Sequence, residues 1–289
     1  MELVYFGTPE IAATPLRALH AAGHEIVLVV SGADKRRGRG RTTSPSPVKA
    51  AALELGLDVV DDPSAAADVG ADLGVVVAYG RIIRPPLLAV LPMVNLHFSL
   101  LPRWRGAAPV ERAILAGDDE TGVCVMAVEE GLDTGAVYAS RRLGIGPFET
   151  ADELRGRLVH TGTELLVDTL SAELPTPVAQ PDDGVTYAAK LSPAELEIDW
   201  SRTCEEILRV VRVGGAWTTW RGGRFKIHAA SLASERSGGA EPGTFVGPLT
   251  VACGTGEIDL TVVQAEGKAR TEAAAWAHGA RPTGDRLGA

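Results

Sequence analysis

The chain has 289 residues, a length that predicts about two domains. Hydrophobic residues make up 45% and charged residues 22%, an ordinary globular composition that argues against wholesale disorder. The net charge of −9 argues against a protein coated in nucleic acid, and we expect no DNA partner.

The charge is divided unevenly along the chain. Residues 200–289 hold 11 Lys and Arg against 9 Asp and Glu, a net of +2, which leaves a net of −11 on residues 1–199. The two parts therefore present different electrostatic fields to a charged partner. A chain with a negative net charge can still contain a local basic site.

The cysteines and the apolar runs indicate the cellular compartment in which the protein works. Cys124, Cys204 and Cys253 are far apart and form no CxxC pair, so we expect neither a disulfide framework nor a metal site. No apolar run approaches the roughly 20 residues of a membrane-spanning helix. The chain enters an apolar stretch at Leu3 with no basic region before it, so we expect no signal peptide. These features predict a cytoplasmic protein without a membrane partner.

Strand-like and helix-like segments alternate through the first part of the chain. Residues 73–79 are almost wholly apolar, as is typical of a central parallel strand covered on both faces. The alternation predicts an α/β fold with a doubly wound, Rossmann-like parallel sheet. In chain order we expect a strand at 2–6, a helix at 9–20, a strand at 25–30, a helix at 47–55, strands at 58–60 and 73–79, a helix at 84–90 and a strand at 93–97.

The pattern changes after residue 120. Short strands separated by glycines near the end of the chain predict a small, OB-like β-barrel. We accordingly expect a first domain at 1–185, a linker at 186–200 and a C-terminal domain at 201–289. The predicted elements are strands at 122–128 and 136–143, a helix at 150–173, an unstructured stretch at 174–199, a helix at 201–213 and strands at 225–228, 244–246, 249–253 and 258–263.

The end of the predicted strand 93–97 carries two polar side chains. Asn95 and His97 lie on the same side of this strand, because side chains alternate with period two. Ligands of open α/β sheets bind beyond the carboxyl ends of the strands. An amide donor and a titratable imidazole are therefore expected at one crevice, although Asn-x-His at a strand end is by itself often structural.

Asp133 adds a carboxylate to this pair. It stands in the glycine-flanked turn 131–135, which is suited to bring the side chain back over the strand ends. Asn95 is suited to donate to an oxyanion, His97 to move a proton, and Asp133 to orient the imidazole or a water. The three residues form a usable set for acyl transfer, and no Ser or Cys nucleophile is needed if the substrate supplies its own amine. Taken alone, Asp133 is equally typical of an ordinary turn aspartate.

Residues 95–109, NLHFSLLPRWRGAAP, resemble the signature of the 10-formyltetrahydrofolate-dependent formyltransferases. The resemblance extends over nearly the whole chain. Further matching segments, in the same order as in that family, are FGTPE at 6–10, GRG at 38–40 with SPSPVK at 44–49, AYG at 78–80, GLDTG at 131–135, AAKL at 188–191 with IDW at 198–200, QAEGK at 264–268 and GAR at 279–281.

The resemblance implies roles for these residues. The formyl donor would be 10-formyltetrahydrofolate, a co-substrate, and the acceptor the α-amino group of methionyl-initiator-tRNA. The implied catalytic set is Asn95, His97 and Asp133, with Asn95 and a protonated His97 stabilising the oxyanion and His97 carrying a proton to the leaving nitrogen. The implied folate-binding residues are Ser99, Leu100, Leu101, Pro102, Tyr79, Gly80 and Ile82.

A basic segment near residue 40 fits a polyanionic acceptor. Six Lys and Arg side chains lie within 15 residues, opposed only by Asp34. The two glycines among them make the segment flexible, so its phosphate contacts would become ordered only when the acceptor binds. The resemblance implies that Arg39, above the other basic residues of this segment, contacts the tRNA. The expected tRNA contacts are Arg36, Arg37, Arg39, Arg41, Lys49 and Lys268, with Arg221, Arg224, Lys226 and Arg270 as further candidates in the C-terminal domain.

Three alternatives stay open at this stage. A formyltransferase for a small amine, such as a nucleotide sugar, would use the same catalytic set. An NAD-dependent oxidoreductase is disfavoured because residues 7–12 read GTPEIA and lack the G-x-G-x-x-G phosphate cradle. The third alternative is a non-catalytic tRNA-binding protein. For the formyltransferase we expect a monomer. Phe98, where the family has a small residue, and residues 212–217 depart from the family pattern.

Overall fold

The structure is a computed structural model that describes residues 1–36, 43–171, 173–234 and 238–288. The chain forms two compact units, each assembled from several stretches of sequence. The first unit comprises Met1–Val110, Glu120–Gly144 and Leu154–Ala189, and the second comprises Glu111–Asp119, Ile145–Glu153 and Lys190–Ala289.

The elements up to residue 188 follow the expected alternation. Short 3-10 helices lie at Pro63–Ala67 and, further along, at Pro193–Leu196. In chain order the elements are β1 (Glu2–Gly7), α1 (Glu10–Ala21), β2 (Glu25–Val30), β3 (Lys35–Arg36), β4 (Thr43–Ser44), α2 (Pro47–Glu54), β5 (Val59–Val60), β6 (Leu73–Val77), α3 (Pro85–Leu88), β7 (Met93–His97), β8 (Arg105–Gly106), α4 (Pro109–Ala116), β9 (Glu120–Ala127), β10 (Val137–Gly144), α5 (Ala151–Leu170) and β11 (Tyr187–Ala188).

A seven-stranded sheet forms the centre of the first unit, in the order β10-β9-β7-β6-β1-β2-β5. The five strands from β7 to β5 are parallel, and β9 and β10 are antiparallel additions at one edge. Leu3, Val4, Tyr5 and Phe6 of β1 are completely buried, as a strand with both faces covered must be. The predicted Rossmann-like sheet is confirmed.

Parallel pairing sets the place of the polar residues. β6 and β7 are neighbours, with Val76 opposite Asn95, so their carboxyl ends lie at the same edge of the sheet. β9 runs back along β7, with Cys124 opposite His97. Because antiparallel neighbours run in opposite directions, β9 ends beside the start of β7. The turn that follows β9 therefore begins next to Met93 rather than next to His97.

The second unit contains a curled antiparallel sheet in the order β12-β13-β15-β14, with β16 paired to β15. The aromatic side chains Trp220, Phe225, Phe245 and Trp276 pack together beside it, with Phe225 and Trp276 ring centroids 4.7 Å apart. A small domain of short antiparallel strands was expected and is confirmed. Its elements are α6 (Cys204–Val213), β12 (Trp217–Trp220), β13 (Gly223–Leu232), β14 (Thr250–Ala252), β15 (Glu257–Ala265), β16 (Thr271–Glu272) and α7 (Ala273–Ala280).

Several expectations about individual elements were wrong. The strand expected at 244–246 is absent: Thr244 and Phe245 make only isolated bridges. The strand expected at 73–79 ends at Val77, because Ala78 has a φ of +44°, which an extended strand does not accommodate. The stretch 174–199 contains β11 and a short helix, and the sequence analysis assigned no element to α4, β12 or α7.

Candidate active site

The imidazole of His97 is held at the buried end of β7. His97 is only 5% exposed, while Asn95, two residues earlier on the same face of the strand, is partly exposed. The sheet fixes the backbone of both residues, since Asn95 is paired with β6 and β9 and His97 is paired with Cys124 of β9. An amide group and an imidazole are thus presented from a rigid element.

Each nitrogen of the His97 ring faces a different group. Nε2 lies 2.9 Å from the carbonyl oxygen of Trp104, and Nδ1 lies 3.6 Å from Oδ2 of Asp133. A carbonyl oxygen only accepts, so Nε2 must carry the hydrogen that it donates to Trp104. The neutral ring therefore has its basic lone pair on Nδ1, on the side of the Asp133 carboxylate.

The carboxylate of Asp133 is aimed at His97 by its surroundings. Asp133 has a φ of +52°, a left-handed conformation that Asp tolerates better than most residues. Its Oδ2 accepts a hydrogen bond of 2.7 Å from the backbone N–H of Gly106. Gly135 ends the turn without space for a side chain, because a Cβ there would lie 2.0 Å from the carbonyl oxygen of Ala127. The turn 131–135 thus brings the carboxylate to the imidazole.

Two backbone groups complete the arrangement, and neither was predicted from the sequence. They are the carbonyl of Trp104, whose φ is +65°, and the N–H of Gly106, whose φ is +122°. A Cβ at Gly106 would come within 2.9 Å of the carbonyl oxygen of Ala188, so this position requires glycine. The glycine in RWRGAAP was the only available signal, and a glycine alone does not reveal which hydrogen bond it permits.

The residues expected to contact folate differ widely in exposure. Ser99 is completely buried, and its hydroxyl donates to the carbonyl of Arg103 at 2.6 Å. Leu100, Leu101 and Pro102 are half-buried, Gly80 is exposed, and Ile82 is 89% exposed. Tyr79 is buried, and its ring packs edge-on against Phe6 with centroids 5.6 Å apart. Burial raises the pKa of the Tyr79 phenol.

Two concave regions lie beyond the carboxyl ends of the parallel strands. Arg81 lines both, and the sequence analysis did not single it out, although it directly follows the AYG segment. Its guanidinium lies 5.7 Å from the centre of the Tyr79 ring. The larger region, of about 790 Å³, is lined by Asp62, Pro63, Ser64, Ala67, Arg81, Ile82, Arg84, Pro86 and Leu87, and the smaller, of about 470 Å³, by Gly32, Ala33, Asp61, Asp62 and Arg81.

The basic residues of the first unit are only partly accounted for. Arg37, Arg39 and Arg41 lie outside the described residues, and for Arg36 only the backbone, in β3, is described. Lys49 lies in α2, and its Nζ is 2.8 Å from Oδ1 of Asp34.

In the second unit the basic candidates are not equivalent. Arg221 donates to the Asp285 carboxylate at 2.9 Å and lies over the Trp220 ring. Arg224 is exposed, and its guanidinium lies 4.2 Å from the centre of the Trp217 ring. Lys226 is half-buried, and Lys268 and Arg270 are exposed. The Arg221 charge is already neutralised locally, so this side chain is a weaker candidate for a phosphate contact than the others.

Among the residues that the structure describes, no three His, Cys, Asp or Glu side chains group closely enough to hold a metal ion. None of the helices in the same ranges has the length and apolar character that crossing a bilayer requires.

A buried histidine paired with a carboxylate, beside an amide at the end of a parallel strand, defines an acid–base site for group transfer. Comparison with known protein families identifies the class of group-transfer protein. A family described as "Formyl transferase" matches residues 1–170, and "Formyl transferase, C-terminal domain" matches residues 190–281. The chain therefore belongs to the formyl transferase family.

Curated relatives cover almost the full chain. Proteins named methionyl-tRNA formyltransferase from Symbiobacterium thermophilum and Roseobacter denitrificans are 45% and 46% identical, with 96% of this chain and 92% and 96% of theirs covered. The protein of the same name from Ruegeria pomeroyi is 45% identical over 99% of this chain and 100% of its own. Identity at this level over both units shows that the relatives share the whole architecture.

Solved structures share the fold at lower identity. The N-formyltransferase from Helicobacter canadensis, in complex with folinic acid and dTDP-3-aminofucose, has a TM-score of 0.69 at 18% identity and covers 89% of this chain and 98% of its own. The sugar 3N-formyl transferase WlaRD, in the presence of dTDP and 5-N-formyl-THF, has a TM-score of 0.71 at 17% identity, with 93% and 99% covered. These likenesses establish the fold.

Proposed function

We propose that the chain transfers the formyl group of 10-formyltetrahydrofolate to the α-amino group of methionyl-initiator-tRNA. The product would be N-formylmethionyl-tRNA for translation initiation, made in the cytoplasm by a monomeric enzyme without a metal. The observation that carries the proposal is the buried contact of His97 with Asp133, 3.6 Å apart, in a chain 44–46% identical to proteins named methionyl-tRNA formyltransferase.

The reaction forms one C–N bond and breaks another. The free amine of the esterified methionine attacks the formyl carbon, which gives a tetrahedral intermediate with a negative oxygen. The intermediate collapses by breaking the bond to N10 of the folate, and N10 takes a proton as the attacking nitrogen loses one. Asn95, partly exposed in β7, donates its side-chain N–H to the oxyanion. No covalent enzyme intermediate is needed, so proximity supplies much of the rate enhancement.

His97 moves the proton through Nδ1. Its Nε2–H is engaged by the Trp104 carbonyl, so the proton from the attacking nitrogen enters the ring at Nδ1, directly or through a water. The Asp133 carboxylate, 3.6 Å away, stabilises the imidazolium that forms, and the same proton is then delivered to N10. This assignment narrows the expected role of His97 to one nitrogen of the ring.

The folate donor would lie along residues 99–102, which follow β7, and at the edge of the larger concave region, which Ile82 lines. The side chains of Leu100, Leu101 and Pro102 and the exposed Ile82 offer apolar surface to a folate ring system, while Gly80 leaves the backbone accessible. Ser99 would act from beneath this surface, since it is completely buried. Tyr79 would support it in the same way.

The acceptor is expected to contact both predicted domains. Residues 1–185 would form the catalytic domain, residues 186–200 the linker, and residues 201–289 the tRNA-binding domain. Phosphate contacts by Arg36, Arg37, Arg39, Arg41, Lys49 and Lys268 agree with the charge distribution, because the remaining surface of residues 1–199 is acidic and repels RNA.

The proposal is tested first at His97. His97→Ala should reduce formylation by about 10³-fold or more, because it removes the proton carrier, while binding of 10-formyltetrahydrofolate measured by calorimetry stays within about threefold. Near-normal turnover in this variant would contradict the assigned chemistry.

The role of the basic segment is tested separately. Arg39→Ala should raise KM for the tRNA, with a smaller change in kcat, and should lower the salt dependence of binding by about one counterion. An unchanged dependence on tRNA concentration would remove this segment from the acceptor site.

A further inference from the structure

The side chain of Gln180 connects the Asp133 turn to β8. Its Nε2 donates to two carbonyl oxygens, those of Asp133 and Gly135, each at 2.8 Å. Its Oε1 accepts two hydrogen bonds from the guanidinium of Arg105, from Nε at 3.0 Å and from Nη2 at 2.7 Å. One half-buried amide group thus makes four hydrogen bonds.

The chemistry of the partners fixes the orientation of this amide. Carbonyl oxygens only accept and a guanidinium only donates, so a flipped amide would face each partner with the wrong group. All four contacts point to the same assignment. Gln180 therefore has no second orientation that keeps its hydrogen bonds.

Gln180 and its neighbours hold Asp133 from two sides. Gln180 binds the Asp133 backbone, and the N–H of Gly106 binds its carboxylate at 2.7 Å. Arg105, which fixes Gln180, directly precedes Gly106, so β8 controls both contacts. The Asp133 backbone has a φ of +52°, a conformation that persists only when its surroundings enforce it.

The segment 178–188 that carries Gln180 is anchored on both sides of this residue. Val178 and Val137 exchange two backbone hydrogen bonds of 2.8 Å. Further along, the hydroxyl of Thr186 accepts from the N–H of Trp104 at 2.8 Å, the residue whose carbonyl binds His97. The same segment therefore supports the groups at both nitrogens of the imidazole.

We infer that Gln180 is a positioning residue for catalysis, which holds the Asp133 carboxylate at the distance from His97 that proton transfer requires. The inference rests on the proposed function. The four hydrogen bonds of Gln180 go to Arg105, Asp133 and Gly135 and none to His97, so we expect its effect on the reaction to pass through the Asp133 turn. Misplacement of a catalytic group by about 1 Å costs up to about 10²-fold in rate.

The test compares formylation of methionyl-initiator-tRNA by the wild-type chain, Gln180→Glu and Gln180→Met. Glutamate keeps the acceptors for Arg105 but turns an oxygen toward the two carbonyls, and methionine keeps the length without any hydrogen bond. We expect kcat to fall about 10- to 10²-fold in both variants, with KM for folate and tRNA within about threefold. Asp183→Asn, an exposed residue of the same segment, is the matched control and should equal the wild type.

A double-mutant cycle separates positioning from a general structural effect. If Gln180 acts through Asp133, Gln180→Glu in an Asp133→Asn background should leave the remaining kcat unchanged within about twofold. The inference is overturned if Gln180→Glu lowers kcat equally in both backgrounds, or if both single variants keep wild-type kcat. A wild-type chain that does not formylate this tRNA would instead contradict the proposed function.

Discussion

The charge of Asp133 can be removed without changing the shape of its side chain. Asp133→Asn preserves an oxygen that can accept from Gly106 and deletes the negative charge 3.6 Å from Nδ1 of His97. The side chains of His97 and Asp133 are 6% and 16% exposed, so water screens the pair weakly. The variant therefore measures how much the carboxylate stabilises the imidazolium.

The size of the effect follows from the distance. At 3.6 Å and an effective dielectric constant of about 20, a full positive charge on the ring interacts with the carboxylate by about 4 to 5 kcal/mol. Each 1.36 kcal/mol corresponds to about tenfold in rate, so the full charge gives about 10³-fold and a half-developed charge about 30- to 50-fold. We expect kcat to fall within this range.

The assay is single-turnover formylation of methionyl-initiator-tRNA at saturating donor, so that product release does not mask the chemical step. Asp182→Asn, which removes the same charge from an exposed position, is the control and should keep full activity. A kcat for Asp133→Asn within about threefold of the wild type would refute the reasoning, because the carboxylate would then not stabilise charge on His97.

Three further predictions concern stability and reactivity. Gly135→Ala should destabilise the fold by about 1 to 3 kcal/mol in urea unfolding, because its Cβ would lie 2.0 Å from a β9 carbonyl oxygen. Gly156→Ala in α5, whose Cβ would meet nothing within 4 Å beyond the backbone of its own helix, should stabilise it by about 0.5 to 1 kcal/mol. The hydrogen bond from Arg112 lowers the pKa of Glu195 from 4.5 to about 2, so its stabilisation is present above pH 4.5 and is lost as the pH falls toward 2; the Tm difference between wild type and Glu195→Gln should shrink over that range, and a constant difference would contradict this cause. Burial raises the pKa of the Cys253 thiol to about 12, and all three cysteines are buried, so a thiol reagent at pH 8 should modify none of them until the chain unfolds.

The sequence predicted those features that local pattern controls. β7 was expected at 93–97 and is found there. In an α/β fold, a short apolar run between helix-like segments usually forms a buried strand. The glycines around Asp133 correctly indicated a tight turn, and the structure places its carboxylate beside His97.

Features that depend on contacts distant in sequence were not predictable. Gln180 lies 47 residues from Asp133 and 75 from Arg105, in a stretch whose composition indicated only a linker. The Trp104 carbonyl reaches His97 through a φ of +65°, a conformation that no pattern of residue types encodes for tryptophan. The helix α7, AAAWAHGA, lacks polar alternation and gave no helical period to detect.

The central claim is the identity of donor and acceptor. The most direct measurement follows the transfer of labelled formyl from 10-formyltetrahydrofolate to three acceptors: initiator methionyl-tRNA, elongator methionyl-tRNA and a small amine such as an amino-sugar nucleotide. We predict the highest kcat/KM for initiator methionyl-tRNA, and a loss of its advantage over the small amine in Arg39→Ala. Transfer to the small amine at an equal or higher kcat/KM, or no transfer to either tRNA, would contradict the account.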